Sequence, residues 1–297
     1  MSFISKEEIV RICSIPIDQF ESNNTKLRYS IVKNSAEMGD VMSEELITII
    51  TENNAAGRDT RAIVPCGPMC WYKPFTEKVN SRRISLSRLT VFHMDECLDW
   101  QGRILPENHP LNFRSTMLEH FYKPVLQELA VPEDQRVWME PDSMKHYKEE
   151  FWKAPIDICL GGWGQDGHIA YNQARRDPFR KLTLEDVRNA EMRIQTNNPD
   201  TILALANRNF GSAYQLVPPM SCTIGIKECL SAKRIRLYSD TGAWKQTAFR
   251  AALFGPVCAE YPITLLQEHQ DAMVTATYET ANHPLSLHPE WEFFNKK

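Results

Sequence analysis

No run of about 18 apolar residues occurs anywhere in these 297 residues, which excludes a membrane-spanning helix. No tract of Lys and Arg breaks a composition of 34 basic and 38 acidic residues, and the formal net charge is -4. The electrostatic footprint of a nucleic-acid or acidic-membrane partner is therefore missing, and neither partner is expected. The start, Met1-Ser2-Phe3-Ile4-Ser5-Lys6-Glu7-Glu8, has neither the basic opening nor the apolar centre of a secretory signal, so the expected compartment is the cytoplasm. Cysteine is present eight times, but scattered. Only Cys66 and Cys70 lie close together, and no second pair or neighbouring histidine completes a tetrahedral zinc set, so reduced thiols and no metal are expected. Internal repeats and low-complexity segments are absent too.

What is present is an alternation of helical and strand signals, which argues for βα units around a mostly parallel sheet. A hydrophobic content of 42% suffices for the packed core of a large α/β domain. Residues 35–53 carry Met38, Val41, Met42, Leu46, Ile47 and Ile50 at helical spacing. Short apolar strands are expected over 61–65, 89–96, 156–160, 222–226 and 234–239, and further helices over 113–129, 142–153 and 241–253. The polar stretch 174–219, punctuated by Asp177-Pro178, Asn197-Asn198-Pro199 and Pro218-Pro219, reads as a flap.

The chain has 12 glycines, and Gly161, Gly162, Gly164 and Gly167 crowd into one loop behind the apolar strand Ile156-Asp157-Ile158-Cys159-Leu160. Such a loop permits tight turning and close approach of backbone to a ligand. It delivers Asp166 and His168 at the carboxyl end of a strand, where open α/β sheets bind their ligands. Two other strand ends carry polar groups, Pro65-Cys66-Gly67 and Met94-Asp95-Glu96. Taken singly, a strand-end Asp is more often a cap than a catalyst. His93, His109, His120, His146, His269, His283 and His288 read as structural, and Lys245 alone would be a solvated helix residue.

The stretch Gly161-Gly162-Trp163-Gly164-Gln165-Asp166-Gly167-His168-Ile169-Ala170-Tyr171-Asn172 resembles the signature loop of glucosamine-6-phosphate deaminases, and Phe92-His93-Met94-Asp95-Glu96 resembles their second motif. The likeness runs from the helix at Ser35 to about Thr280, with Lys245 on a matching late helix. In the sister 6-phosphogluconolactonases a Thr usually follows the His, so Ile169-Ala170-Tyr171-Asn172 favours the deaminase branch. The resemblance implies a Rossmann-like α/β fold, a mostly parallel sheet flanked by helices, over 34–297, with 1–33 as an N-terminal extension. It implies a sugar-phosphate substrate, no cofactor, and a tendency to form homo-oligomers. Asp95 would carry a proton between adjacent carbons, His168 would protonate the ring oxygen, and Asp166 would fix the imidazole or the substrate. Cys66, Gly67, Glu96 and Gly167 would contact the substrate, with Lys245 and either Arg193 or Arg208 on its phosphate.

The chain departs from that family at two places. Gln173 stands where deaminases usually carry a Glu. Its oxygen can accept the imidazole N–H but cannot offset the charge of a protonated ring. The turn Pro65-Cys66-Gly67-Pro68 lacks two residues of the family's phosphate loop, and so offers fewer N–H groups to an anion. Three readings follow: an amino-sugar-phosphate isomerase and deaminase with altered substrate or rate, a lactonase-like hydrolase using His168 to activate water, and a sugar-phosphate-binding protein without turnover.

Overall fold

The alternating pattern folds as expected into a parallel sheet, and the computed structural model describes residues 3–23, 25–174, 179 and 182–294. In chain order the elements are α1 (Lys6–Cys13), β1 (Arg28–Val32), α2 (Ser35–Ala55), β2 (Thr60–Val64), α3 (Tyr72–Ser81), β3 (Leu89–His93), β4 (Asp95–Leu98), α4 (Phe113–Met117), β5 (Arg136–Val137), α5 (Met144–Phe151) and β6 (Ile158–Gly161). They continue with α6 (Leu184–Arg188), β7 (Arg193–Thr196), α7 (Pro199–Asn209), β8 (Met220–Thr223), α8 (Ile226–Leu230), β9 (Ile235–Ser239), α9 (Gln246–Phe254), β10 (Ala272–Thr277) and α10 (Tyr278–Ala281).

Seven strands form one sheet in the order β1-β10-β9-β6-β2-β3-β5, with every pairing parallel. From β2 the chain steps outward through β3 to β5, and from β6 it steps the other way through β9 to β10. The order therefore reverses between β2 and β6, and a crevice opens there at the carboxyl ends of the strands. Side chains alternate across the sheet. Ala62 and Val64 of β2 pack with Met38, Met42, Leu46 and Phe75 under α2 and α3, while Ile63 joins the opposite layer with Phe92, Cys159 and Phe249. Burial on both faces explains the unbroken apolar runs.

Helix α2 begins where Asn34 accepts the N–H of Glu37, and it stops before Gly57, whose φ of +67° only glycine adopts freely. Three expectations need correction. Residues 28–32, read within an N-terminal extension, form β1, the edge strand paired with β10. The helix expected over 113–129 is α4 followed by a π-helical turn, Leu118–Tyr122, and a separate 3-10 turn, because Pro124 cannot donate within a continuous helix. The strand expected over 222–226 ends at Thr223, since Gly225 already caps α8.

A smaller antiparallel sheet, β4-β8-β7, was not foreseen. The expected strand 89–96 is divided at Met94, whose N–H bonds to Val64 in the large sheet and whose carbonyl accepts the N–H of Ile224, the residue just past β8 of the small one. The stretch read as a flap supplies α6, β7 and α7, and its Asp177-Pro178 lies outside the described residues. No helix among the described residues is long and apolar enough to cross a membrane.

Candidate active site

A cavity of about 200 Å³ sits in the crevice, lined by Cys66 and Gly67 after β2, Asp95 after β3, His168 after β6, and Asp240 and Lys245 after β9. Four strand ends thus deliver four sets of polar groups to one hollow. Helix α7 closes a side of it with Thr201, Ala204, Leu205 and Arg208, spaced as one helical face.

The crossing from one sheet to the other places Asp95 at the junction, paired across the small sheet with Thr223. Burial, and then the neighbouring carboxylate of Glu96, push the Asp95 carboxyl up to about 8. Glu96 itself points away from the cavity. Its carboxylate accepts the N–H groups of Cys97, Phe113 and Arg114 at 2.9, 2.8 and 2.7 Å, which ties the start of α4 to β4. Strand alternation explains why adjacent acids face different ways. Glu96 is therefore a brace for α4 and lies outside the wall of this cavity.

The loop after β6 folds back on itself through an antiparallel bridge between Trp163 and Ile169, and the N–H of Gly164 bonds to the carbonyl of His168 at 2.9 Å. Gly164 leaves room for the imidazole: a Cβ there would lie 2.0 Å from Cε1 of His168. Gly167 has φ +73°, and its carbonyl accepts the N–H of Ile263 at 2.8 Å. It shapes the loop without lining the cavity. Nδ1 of His168 hydrogen-bonds to Oδ1 of Asp166 at 2.5 Å, with the acid's side chain wholly buried. Burial raises the Asp166 carboxyl, but the imidazole's charge and hydrogen bonds outweigh it and hold the group below its ordinary value. An ionised Asp166 only accepts, so Nδ1 donates to it and carries a proton, which leaves Nε2 as the ring's position for proton exchange. The ring of Tyr171 stacks beside the imidazole, 12° from parallel.

Gln173 does not hold the imidazole. Its Nε2 donates to the hydroxyl of Thr201 at 2.5 Å, and its Oε1 accepts the N–H of Asn198 at 2.7 Å. Gln165 donates to the same hydroxyl at 3.1 Å. The two glutamines join the loop after β6 to the start of α7. A Gln173→Glu variant consequently leaves the rate of the site within a small factor and lowers stability by about 1–3 kcal/mol, because it buries a charge where an amide was satisfied. A tenfold gain in rate would show instead that position 173 communicates with the ring.

Lys245 and Arg208 line the cavity together, whereas Arg193 bonds to Asn172, Glu191 and Gln195 and faces a different hollow. Burial, with Arg208 next, pushes the Lys245 amine down to about 8 against the opposing pull of Asp240. Burial pushes the Cys66 thiol up, so it is a neutral wall rather than a nucleophile. Among the described residues no three His, Cys, Asp or Glu side chains are grouped to hold a metal ion. Sequence reasoning missed Gln165, Thr201 and Asp240. Asp240 directly follows the last residue of β9, so the strand-end logic that found Asp95 applied to it equally.

No family model matches the chain. A glucosamine-6-phosphate deaminase from Caenorhabditis elegans is 26% identical over 255 residues, 84% of this chain and 89% of that protein. A glucosamine-6-phosphate deaminase 2 from Bacillus subtilis (strain 168) is 28% identical over 239 residues, covering 78% and 89%. Among solved structures, a monomeric glucosamine-6-phosphate deaminase superposes with TM-score 0.71 at 22% identity, covering 86% of this chain and 99% of that one. A 6-phosphogluconolactonase from Shewanella baltica superposes with TM-score 0.59 at 15% identity, covering 84% and 97%. By sequence the chain is similar to glucosamine-6-phosphate deaminases, and its fold is that of a glucosamine-6-phosphate deaminase and, with a lower TM-score, of 6-phosphogluconolactonases.

Proposed function

We propose that the cavity opens the ring of a 6-substituted amino sugar of the glucosamine-6-phosphate type, moves a proton between C2 and C1, and releases ammonia. One observation carries the reading: Asp95 and His168, far apart in sequence, line the same cavity as Lys245 and Arg208. Lys245 and Arg208 hold the anionic end of the sugar. His168, with Nδ1 fixed by Asp166, exchanges a proton with the ring oxygen through Nε2. Asp95, as carboxylate, takes the proton from C2 and returns it at C1, after which water replaces the amine at C2. Ammonia release from a panel of hexosamine 6-phosphates tests the proposal, and absence of both turnover and binding removes it.

The ionisations make a further demand. Asp95 works as a base only above its value of about 8, and Lys245 loses its charge above its own value of about 8. Activity as kcat/KM should therefore rise with pH as Asp95 ionises, peak near 8, and fall as Lys245 is deprotonated. A flat profile from about pH 6 to about pH 9 would contradict these assignments.

A hydrolase reading retains one specific support, since an imidazole oriented by a buried carboxylate is also suited to activating water. Hydrolysis of 6-phosphogluconolactone that disappears in His168→Ala, without ammonia release from amino sugars, would replace the first reading with the second.

A further inference from the structure

At the β9 end of the cavity two cations and an acid share the wall. Lys245 and Arg208 bring positive charge, and Asp240, the residue after β9, brings a carboxylate. The turn on the neighbouring side, Pro65-Cys66-Gly67-Pro68, contains two prolines, so only Cys66 and Gly67 have a backbone N–H to offer. Binding sites for a phosphate dianion combine clustered N–H groups with surplus positive charge. In that turn the N–H groups are few, and the formal charge of the acid offsets one of the two cations. Burial of the Lys245 amine, which already weakens its hold on a proton, leaves the remaining charge still less in excess.

Taking the cavity as a deaminase site, we infer that it accepts the anionic end of its sugar as a single negative charge, and that Asp240 sets this preference. A phosphate monoester gives up its second proton near pH 6, so at neutral pH it carries nearly two charges. The second charge meets the Asp240 carboxylate, and like charges brought together in a confined site disfavour binding strongly. A sulfate ester has the same tetrahedral shape with one charge, and a C6 carboxylate also has one, with a planar form that suits the guanidinium fork of Arg208. The site thus selects by charge among amino sugars that share C1, C2 and the ring, and it takes a phosphate ester in its singly protonated form.

Glucosamine 6-sulfate and glucosamine 6-phosphate differ in charge and hardly in size, so their binding to the full chain by calorimetry at about pH 7.5 reads the preference directly. We expect the sulfate to bind roughly tenfold more tightly than the phosphate, and the gap to close in Asp240→Asn. Phosphate affinity should rise as pH falls toward about 6, and sulfate affinity should not. A 2-amino-2-deoxyglucuronate arm separates a carboxylate preference from a sulfate preference. Phosphate binding as tight as sulfate in the unaltered chain, a gap that persists in Asp240→Asn, or no binding of any of these sugars overturns the inference. Ammonia release is scored separately on the same sugars: the expected charge preference without ammonia removes the deaminase reading and leaves the preference standing.

Discussion

Ammonia release by an Asp95→Asn variant should fall by about 10²–10⁴-fold, the range that a positioned proton carrier contributes. The loss should appear in kcat more than in KM, because the proposed function gives the anion end to Lys245 and Arg208, which line the cavity, and not to Asp95. Asn has the same shape and lies at the same junction between sheets, so the fold persists. Stability should in fact rise. The Asp95 carboxyl sits at about 8, above its ordinary value, so the native chain holds a proton that the unfolded chain releases between about pH 4 and pH 8. Over that window the acid subtracts stability as pH rises, and Asn removes the dependence. Unfolding in urea at about pH 5 and about pH 9 should show the variant gaining on the unaltered chain at the higher pH. A variant that keeps more than a tenth of the activity would take Asp95 out of the proton-transfer role.

That pairing of lost activity with gained stability explains why parts of the site were legible in sequence. A carboxylate at the end of an apolar strand has no packing rationale, and a cluster of four glycines has no reason to persist except geometry. Asp95, Asp166 and His168 stand out on those grounds, and the structure brings Asp95 and His168 to one cavity, with Asp166 behind the imidazole. The fold was legible for the same physical reason: strands buried on both faces, such as Ile158–Gly161, read as uninterrupted apolar runs, and α2 repeats its core residues at helical spacing.

What escaped was whatever depends on partners distant in sequence. Nothing local in Leu89-Thr90-Val91-Phe92-His93-Met94-Asp95-Glu96 announces that the chain leaves one sheet for another at Met94, because both halves are equally extended. The change of partner is visible only in the bonds to Val64 and Ile224. Gln173 misled by proximity to His168 along the chain: its amide is used by Thr201 and Asn198, and Asp166 already holds the ring. Glu96 misled in the opposite way. It adjoins Asp95, and the pleat of the strand turns it toward α4.

Arg250→Met should be strongly destabilising although it lies outside the site. Arg250 is wholly buried in α9, and its guanidinium donates to the carbonyl of Ala281 at 2.7 Å through Nη2 and to the carbonyl of Ile15 through Nη1, with its carbon 4.4 Å above the ring of Phe20. It thereby fastens the segment after α1 and the end of α10 to one helix. Burial pulls its own value down to about 10, yet it remains charged at neutral pH. Met fills the volume but gives nothing to the two carbonyls, and each buried carbonyl left without a donor costs about 1–3 kcal/mol, so the loss should reach about 2–6 kcal/mol in urea unfolding. The same change alters the acid response. Burial first, and then the charge of Arg250, push His283 down to about 4 from 6.5. The unfolded chain therefore takes up a proton on acidification before the native chain does, and stability falls as pH drops from about 6.5 to about 4. Without the guanidinium His283 protonates more readily, so the variant should lose less stability than the unaltered chain between about pH 7 and about pH 5. Equal acid losses would show that burial alone, and not the charge of Arg250, keeps His283 neutral. A destabilisation under about 1 kcal/mol would show that water reaches the two carbonyls once the guanidinium is gone.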